Sequence, residues 1–384
     1  MNMQSRPSVL RMEPGDAPFH RNPAKSHTLP ARAYFDPAIW EAEKDAIFGR
    51  SWWCVGHVSR FKEPGKFVTV EVADESLFVV RDRKNELRAF YNVCTHRGHQ
   101  LLKDDGKTNL IVCPYHAWAF DLNGQLKKAR NTAEMIDFEL CDFDLKPVRV
   151  ELFAGFVFVN LDADADPLAD QAPGLEEEIR YYCPQIDTLE FAQRDTFDVR
   201  SNWKIMIDNF LECYHCHTAH KDFVDLVDMD SYRTKVHTIY SSQLSDAPKN
   251  TNSKAYTFKK GEVDFGYAGW FLWPNLSIWV YPGEPNISTL QMLPAGPERC
   301  IEYQDWYVPG GKASPQLQDA MDYQKDVLQP EDIGLCVSVQ KGLRSKSYNQ
   351  GRFVIDKGLT ELSEHAVHHF QRMVMESLGG EIEE

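Results

Sequence analysis

The chain has 384 residues, enough for more than one hydrophobic core, so two domains are expected. Hydrophobic residues make up 43% and charged residues 26%, and no apolar run reaches the length that spans a bilayer, which argues against a membrane protein. A formal charge of −15 repels phosphate backbones, and the nine cysteines are an odd set in a large chain without an export signal, so neither nucleic-acid binding nor a disulfide framework is expected.

The first thirty residues carry Pro7, Pro14, Pro18, Pro23 and Pro30 without an apolar signal core, which reads as a flexible arm on a cytoplasmic protein. Tyr34, Phe35, Ile39, Trp40, Ile47 and Phe48, fronted by Asp36-Pro37, predict a capped packing helix. Short β-rich runs follow at Trp52–Val55, Phe67–Val72 and Leu77–Val80, with turn chemistry at Glu63-Pro64-Gly65 and Arg83-Lys84-Asn85. The β pattern resumes at Val148–Glu151 and Gly155–Asn160, and the acidic stretch Asp162–Asp170 marks a domain junction. The expected division is an arm and helix (1–50) joining the catalytic domain, a β domain (51–165) and a catalytic domain (166–384).

Within the β domain stand Cys94-Thr95-His96 and, sixteen residues on, Cys113-Pro114-Tyr115-His116. Two thiolates and two imidazoles suit structural zinc as well as iron. A zinc finger, however, pairs its cysteines together and its histidines together. Here each loop gives one of each, the alternation a Rieske [2Fe–2S] cluster uses, with Cys₂ on one iron and His₂ on the other. Gly98 and Pro114 suit tight loops that bring backbone N–H groups toward sulfur.

Glu176–Tyr182 reads as helix, and Asn202–Asn209 has the apolar spacing of a helix that continues to carry Glu212 and His215 on one side. His220 lies five residues beyond His215, about 140° round a regular helix, so an irregularity is expected at Thr218-Ala219. Strands are expected within Trp270–Gly283 and at Ser288–Pro294 and Ile301–Val308, then helices over Ser314–Gly342 and Ser363–Leu378. Strands closed by long helices predict an α+β catalytic domain, an antiparallel sheet packed with helices. Two histidines and a carboxylate are the facial triad of non-haem Fe(II), and Glu212-x-x-His215-x₄-His220 with the later Glu331-Asp332 can supply one.

From about Tyr34 onward the chain resembles the oxygenase component of the Rieske non-haem iron oxygenases. The resemblance implies a helix-grip, START-like catalytic domain, cluster ligands Cys94, His96, Cys113 and His116, and mononuclear iron ligands His215, His220 and Asp332. It gives Glu212 the role of bridging His215 to His116 of a neighbouring subunit, which a head-to-tail homotrimer satisfies, and it implies O₂ and a separate flavin and iron–sulfur NAD(P)H reductase. The commoner family residue at 212 is Asp. Glu there, with Glu-Cys-Tyr-His-Cys after Asp208-Asn209, Pro330-Glu331-Asp332, Ser338–Leu343 and Gln350–Phe353, is similar to the oxygenases of carnitine, choline, glycine betaine or proline betaine.

The expected reaction is hydroxylation beside nitrogen and N-demethylation of a betaine, with carnitine or choline oxygenation, aromatic-ring hydroxylation and simple electron transfer as alternatives. A quaternary ammonium offers no N–H, so Trp270, Trp273, Trp279 and Tyr281 are candidates for an aromatic cage. Asp208 is a candidate for orienting a ligand histidine. Cys213, Cys216 and His217 fall outside the ligand pattern and are expected to pack, and His365, His368 and His369 are expected on a solvated helix face.

Overall fold

The computed structural model describes residues 9–248, 251–259 and 266–384, so Pro7 lies outside the described residues. Two compact units emerge, Phe48–Asp170 and the discontinuous Met1–Ile47 with Gln171–Glu384.

Helix α1 (Pro37–Ala46) is started by Asp36, whose carboxylate accepts from Ala38 N, with Pro37 in the first turn, where its missing N–H costs nothing. The smaller unit then builds β1 (Trp53–His57), β2 (Lys66–Val72), β3 (Glu75–Arg81), β4 (Leu87–Tyr91), β5 (Gly106–Lys107), β6 (Ile111–Val112), β7 (Ala119–Phe120), β8 (Leu126–Lys128), β9 (Pro147–Phe153) and β10 (Phe156–Asn160). Seven of them form an antiparallel sheet in the order β1-β10-β9-β4-β3-β2-β5, and β6-β7-β8 form a separate three-stranded sheet. Phe78, Phe90, Phe120, Leu126 and Trp118 pack one buried cluster that includes Cys94 and Cys113.

In the larger unit β11 (Leu189–Val199), β12 (Arg233–Val236), β13 (Tyr240–Leu244), β14 (Ala268–Leu272), β15 (Leu276–Val280), β16 (Ile287–Gly296) and β17 (Arg299–Pro309) form an antiparallel sheet ordered β11-β17-β16-β15-β14-β13-β12. The α+β class is as expected, although β4, β12 and β13 come from stretches with no strong alternation. Trp270–Gly283 is a hairpin with every residue of β14 and β15 buried. Such a sheet is covered on both faces, so its strands lose the polar–apolar alternation that marks a one-sided sheet.

The short α2 (Leu168–Gln171) spans the chain boundary between the units, and the helices of the larger unit are α3 (Leu175–Tyr182), α4 (Trp203–Phe210), α5 (Cys216–Ala219), α6 (Lys221–Leu226), α7 (Pro315–Tyr323), α8 (Gln329–Gly342) and α9 (His365–Ser377). A π-turn over Gln324–Leu328 joins α7 to α8, so Glu331 and Asp332 sit inside a nearly continuous helical run. Pro330 has no N–H to give to a preceding carbonyl, which favours a departure from α geometry just before it.

Helix α9 buries His365, His368 and His369, correcting the solvated face expected for them. His365 Nε2 reaches Thr234 O at 3.1 Å and His368 Nε2 reaches His20 O at 2.8 Å. Histidine is compatible with a core when a carbonyl takes its N–H, and composition alone cannot reveal that carbonyl. No helix of the described residues is long and apolar enough to cross a membrane.

Candidate metal centres and substrate cavity

The two cluster loops share one backbone scheme. Cys94 N bonds His99 O and Gly98 N bonds Cys94 O, at 2.8 and 3.0 Å. Cys113 N bonds Trp118 O and Ala117 N bonds Cys113 O, again at 2.8 and 3.0 Å. The residue four past each cysteine is left-handed, Gly98 at φ +71° and Ala117 at φ +58°. Backbone N–H groups of His96 and Arg97 point at the Cys94 sulfur, yet burial and Cys113 together push that thiol up to about 11.

His96 and His116 face each other with ring centroids 4.7 Å apart, His96 stacked on Trp118, and both Nδ1 atoms are buried with no hydrogen-bond partner. Two close sulfurs and two unpartnered imidazole nitrogens fit a cluster with two thiolate and two imidazole ligands. Tyr115, between the ligand loops' tips, remains 54% exposed.

In the larger unit, Asn202 caps α4 by accepting from Lys204 N at 2.9 Å. The helix stops at Phe210, with Leu211 as its C-cap, so Glu212 and His215 lie beyond it and not along it as expected. Cys216 N returns to Cys213 O at 3.0 Å, and that turn sets the two sulfurs against each other as a disulfide. These cysteines were expected to pack beside the ligands, with no disulfide framework, but a two-residue spacing that folds into a turn brings them within bonding reach. The remaining described cysteines are free. The second break falls at His220 itself, which is non-helical (φ −119°, ψ 65°) between α5 and α6, directly after the expected Thr218-Ala219.

These breaks let the histidines converge. His215 Nε2 and His220 Nε2 are 3.1 Å apart, and Asp332 Oδ1 lies 2.8 Å from the second and 3.4 Å from the first. The three donors sit within 4.8 Å of one another. Each ring is oriented by a carboxylate on its other nitrogen: Glu212 Oε1 at 2.5 Å from His215 Nδ1, and Glu331 Oε2 at 2.8 Å from His220 Nδ1. Burial would lower the His215 pKa, but Asp332 and Glu212 outweigh it and raise it to about 10, while the two histidines hold Asp332 down at about 2 despite its burial. Two imidazoles and one carboxylate closing on one point are suited to a divalent cation with positions left open.

Against this triad lies a cavity of about 70 Å³. Its wall carries Trp279 and Tyr281, two of the four cage candidates, together with Phe210, Phe223, Tyr232 and Tyr267. Trp279 meets Phe210 edge to face at 5.2 Å, and Gln324 Nε2 donates to the Tyr281 hydroxyl. Gly269 opposes Trp279 across β14 and β15, and a Cβ there would come within 2.9 Å of its ring and 2.8 Å of Tyr267 Oη, so only glycine admits both rings.

Trp270 and Trp273 do not reach this cavity. Trp270 is one residue from Gly269 and therefore on the opposite face of the sheet, where its Nε1 donates to Glu178 Oε2 at 2.9 Å. Trp273 packs instead on Trp203 and Phe370.

Glu212 and His215 also line a second pocket, with Tyr34, Asp208, Leu335 and Val339. Asp208 is buried there, accepting from Tyr34 Oη at 2.7 Å and Gln371 Nε2 at 3.0 Å, with burial pushing its carboxyl up to about 7. Its recorded hydrogen bonds run to these two residues and to neither histidine, so it ties the arm and α9 to α4. Sequence reasoning passed over Glu331 as a histidine partner, and also Tyr267 and Tyr232, which carry no spacing signal.

Comparison with known proteins follows the same two units. Residues 51–144 match the Rieske [2Fe-2S] domain, and residues 186–380 match the catalytic domain of the ring hydroxylating alpha subunit. The carnitine monooxygenase oxygenase subunit of Escherichia coli (strain K12) is 40% identical over 358 residues, covering 93% of this chain and 95% of that protein. The chloroplastic choline monooxygenase of Spinacia oleracea is 31% identical over 371 residues, 93% of this chain and 79% of that one. A solved quaternary ammonium Rieske monooxygenase, in complex with L-carnitine, superposes with a TM-score of 0.85 at 35% identity, covering 96% of this chain and 99% of the other. Naphthalene 1,2-dioxygenase from Rhodococcus sp. shares the fold at a TM-score of 0.80, with 19% identity, 91% of this chain and 94% of its own covered.

Proposed function

Because this chain belongs to the quaternary-ammonium branch of the Rieske non-haem iron oxygenases, we propose that it oxygenates a C–H bond beside the nitrogen of a carnitine-like or choline-like substrate. The relatives' names favour these two substrates over N-demethylation of a betaine. One observation carries the reading: a single cavity has His215, His220 and Asp332 at one end and a wall of aromatic rings that includes Trp279 and Tyr281.

The mononuclear iron, held by His215, His220 and Asp332, would supply O₂ activation, and the cluster, held by Cys94, His96, Cys113 and His116, would supply electrons singly. Electrons come from NAD(P)H through a separate reductase, and the sum R–H + O₂ + NAD(P)H + H⁺ → R–OH + H₂O + NAD(P)⁺ balances. A hydroxyl beside nitrogen makes the C–N bond labile, giving an aldehyde and an amine.

Glu212 holds His215 Nδ1 and lines both the substrate cavity and the second pocket. That pocket is rimmed by Leu335, Val339 and Tyr348, each 40–49% exposed. Apolar exposure beside a bridging carboxylate suits docking of His116 of the partner subunit, in a head-to-tail ring that closes as a trimer.

The test supplies reductase, NADH and a mixture of carnitine, choline, glycine betaine, proline betaine and simple arenes, with products identified by mass spectrometry. An aldehyde and amine from a quaternary amine are expected. Arene hydroxylation alone, or no substrate-dependent O₂ uptake, would sink the proposal.

A further inference from the structure

Glu302 on β17 is fully buried, and nothing above uses it. Its Oε2 accepts from Gln329 Nε2 at 2.6 Å, while Oε1 has no hydrogen-bond partner. Among the described buried side-chain atoms without a partner, this oxygen is the one that belongs to a residue lining the cavity beneath the iron ligands. A desolvated carboxyl oxygen without a partner is destabilising, so its retention in a cavity wall asks for a ligand.

Register explains how it gets there. Glu302 pairs with Met292, and the inner face of the sheet carries it alongside Leu290 and Trp279. Gln329 and Asp332 reach the same wall from α8, one turn apart. The titratable groups recorded as interacting with Glu302 are Asp332 and Cys336 from α8 and Cys300 on its own strand, all acids. Among the described residues lining the cavity there is no Lys or Arg. Burial, with Asp332 adding to it against the Gln329 hydrogen bond, pushes the Glu302 carboxyl up to about 8, so it holds its proton at neutral pH until a permanent cation beside it favours the ionised form.

We propose that Glu302 is the anionic partner of the substrate's quaternary ammonium, and that it selects a permanent cation over both an uncharged isostere and a compact zwitterion. This rests on the proposed quaternary-ammonium reading. A quaternary ammonium cannot use an acceptor through hydrogen bonds, so the cavity offers it what remains: π-faces for dispersion and cation–π contact, and Glu302, which of the three carboxylates lining the cavity is the one not engaged with His215 or His220. A net cation gains from both. A zwitterion whose own carboxylate lies close to its nitrogen gains from the rings and is repelled by Glu302, which places choline ahead of glycine betaine.

Dissociation constants are measured calorimetrically on the iron-loaded holoenzyme for choline, glycine betaine and 3,3-dimethyl-1-butanol, the uncharged carbon isostere of choline. The expected order is choline, then glycine betaine, then the isostere. In Glu302→Gln the preference for choline over the isostere falls about 10-fold or more, and glycine betaine gains on choline, with the cluster's EPR spectrum and the iron content unchanged. Should Glu302→Gln fail to retain iron, Glu302→Asp decides, because it keeps the charge and is expected to hold the preference within about 3-fold. A wild-type preference left intact in Glu302→Gln, or lost in an iron-replete Glu302→Asp, overturns the role of Glu302 alone. A wild-type enzyme with no preference for choline over the isostere overturns this inference and the quaternary-ammonium reading together.

Discussion

In the smaller unit, His96 and His116 keep a buried Nδ1 without a partner, whereas in the larger unit His215 and His220 give Nδ1 to Glu212 and Glu331 and turn Nε2 toward each other. The first pair rides on loops that close on themselves through matched backbone bonds, so local chain geometry aims the rings. The second pair sits on broken helix and cannot be aimed that way. Carboxylates from residues 212 and 331 do the aiming, and the third ligand arrives from α8, more than a hundred positions along the chain. A site made of local loops survives or fails loop by loop; a convergent site depends on the partners that hold its ligands.

The largest effect should follow from breaking either ligand set. Asp332→Ala or His220→Ala is expected to lose the mononuclear iron while the cluster's absorbance and EPR spectrum persist, and oxygenation should fall by about 10³-fold or more. Cys113→Ser should do the reverse, emptying the cluster and sparing the other iron. Joint loss of both centres from either substitution, by metal analysis, would mean the two sites are not independently built.

The aiming carboxylates come next. Glu331→Gln retains the shape but accepts more weakly from His220 Nδ1, and iron affinity should drop roughly 10–100-fold. The competition is read by chelator titration. Glu212→Gln should bind iron nearly as well as wild type yet consume NADH without matching product; full coupling in that variant removes Glu212 from the electron path.

A third experiment separates the two faces of the catalytic sheet. Trp270→Ala, on the face bonded to Glu178, is expected to cost about 3–5 kcal/mol of stability by opening a core cavity, with little change in KM for whatever protein folds. Trp279→Ala, on the cavity face, should raise KM for a quaternary amine by about 10-fold, the worth of one desolvated cation–π contact. Equal KM effects from the two would contradict the register.

The same contrast explains what the sequence disclosed. Cys94, His96, Cys113 and His116 are legible because their site is written in short spacings, and the alternation of Cys and His in each loop survives folding unchanged. The α+β order and the sheet strands at Ile301–Val308 and Ser288–Pro294 are legible from periodicity. Trp270 and Trp279 are not separable that way: β14 and β15 are buried on both faces, so nothing in the pattern says which indole meets the cavity. The end of α4 is hidden because Phe210 and Leu211 continue the apolar spacing, while the Cys213–Cys216 turn that ends it is a tertiary feature. Glu302 is silent in the sequence because an isolated acid in a strand ordinarily faces water.

The histidines of α9 give a smaller, pH-dependent effect. Burial, helped by Arg372, lowers the His369 pKa from 6.5 to about 4, and His365 and His368 shift the same way. Above about pH 6.5 the ring is neutral folded and unfolded, so its contribution is complete. Between that value and about 4 the unfolded chain binds a proton that the folded chain refuses, so stability falls as pH falls, by up to about 3 kcal/mol from His369. His369→Leu should flatten that part of the stability curve in denaturant titrations between pH 7 and 4. An unchanged slope would place His369 in solvent.

The smallest effect tests whether the two cluster loops are equivalent. Ala117 and Gly98 hold the same place, four residues past a ligand cysteine and in the left-handed region, but only one is glycine. A left-handed alanine costs about 1–2 kcal/mol, and glycine gives back part of that through the entropy of the unfolded chain. Ala117→Gly should therefore stabilise the holoprotein by about 0.5–1 kcal/mol. Gly98→Ala should cost a similar amount, since a Cβ at 98 would meet nothing within 4 Å and backbone strain alone opposes it. Both are read from unfolding followed at the cluster's visible absorbance. Opposite and matched shifts mean the backbone alone sets the loops' geometry. A loss from Gly98→Ala much larger than the gain from Ala117→Gly would mean the first loop is held more tightly than the second, with the freedom of Gly98 needed to keep the N–H groups of His96 and Arg97 on the Cys94 sulfur.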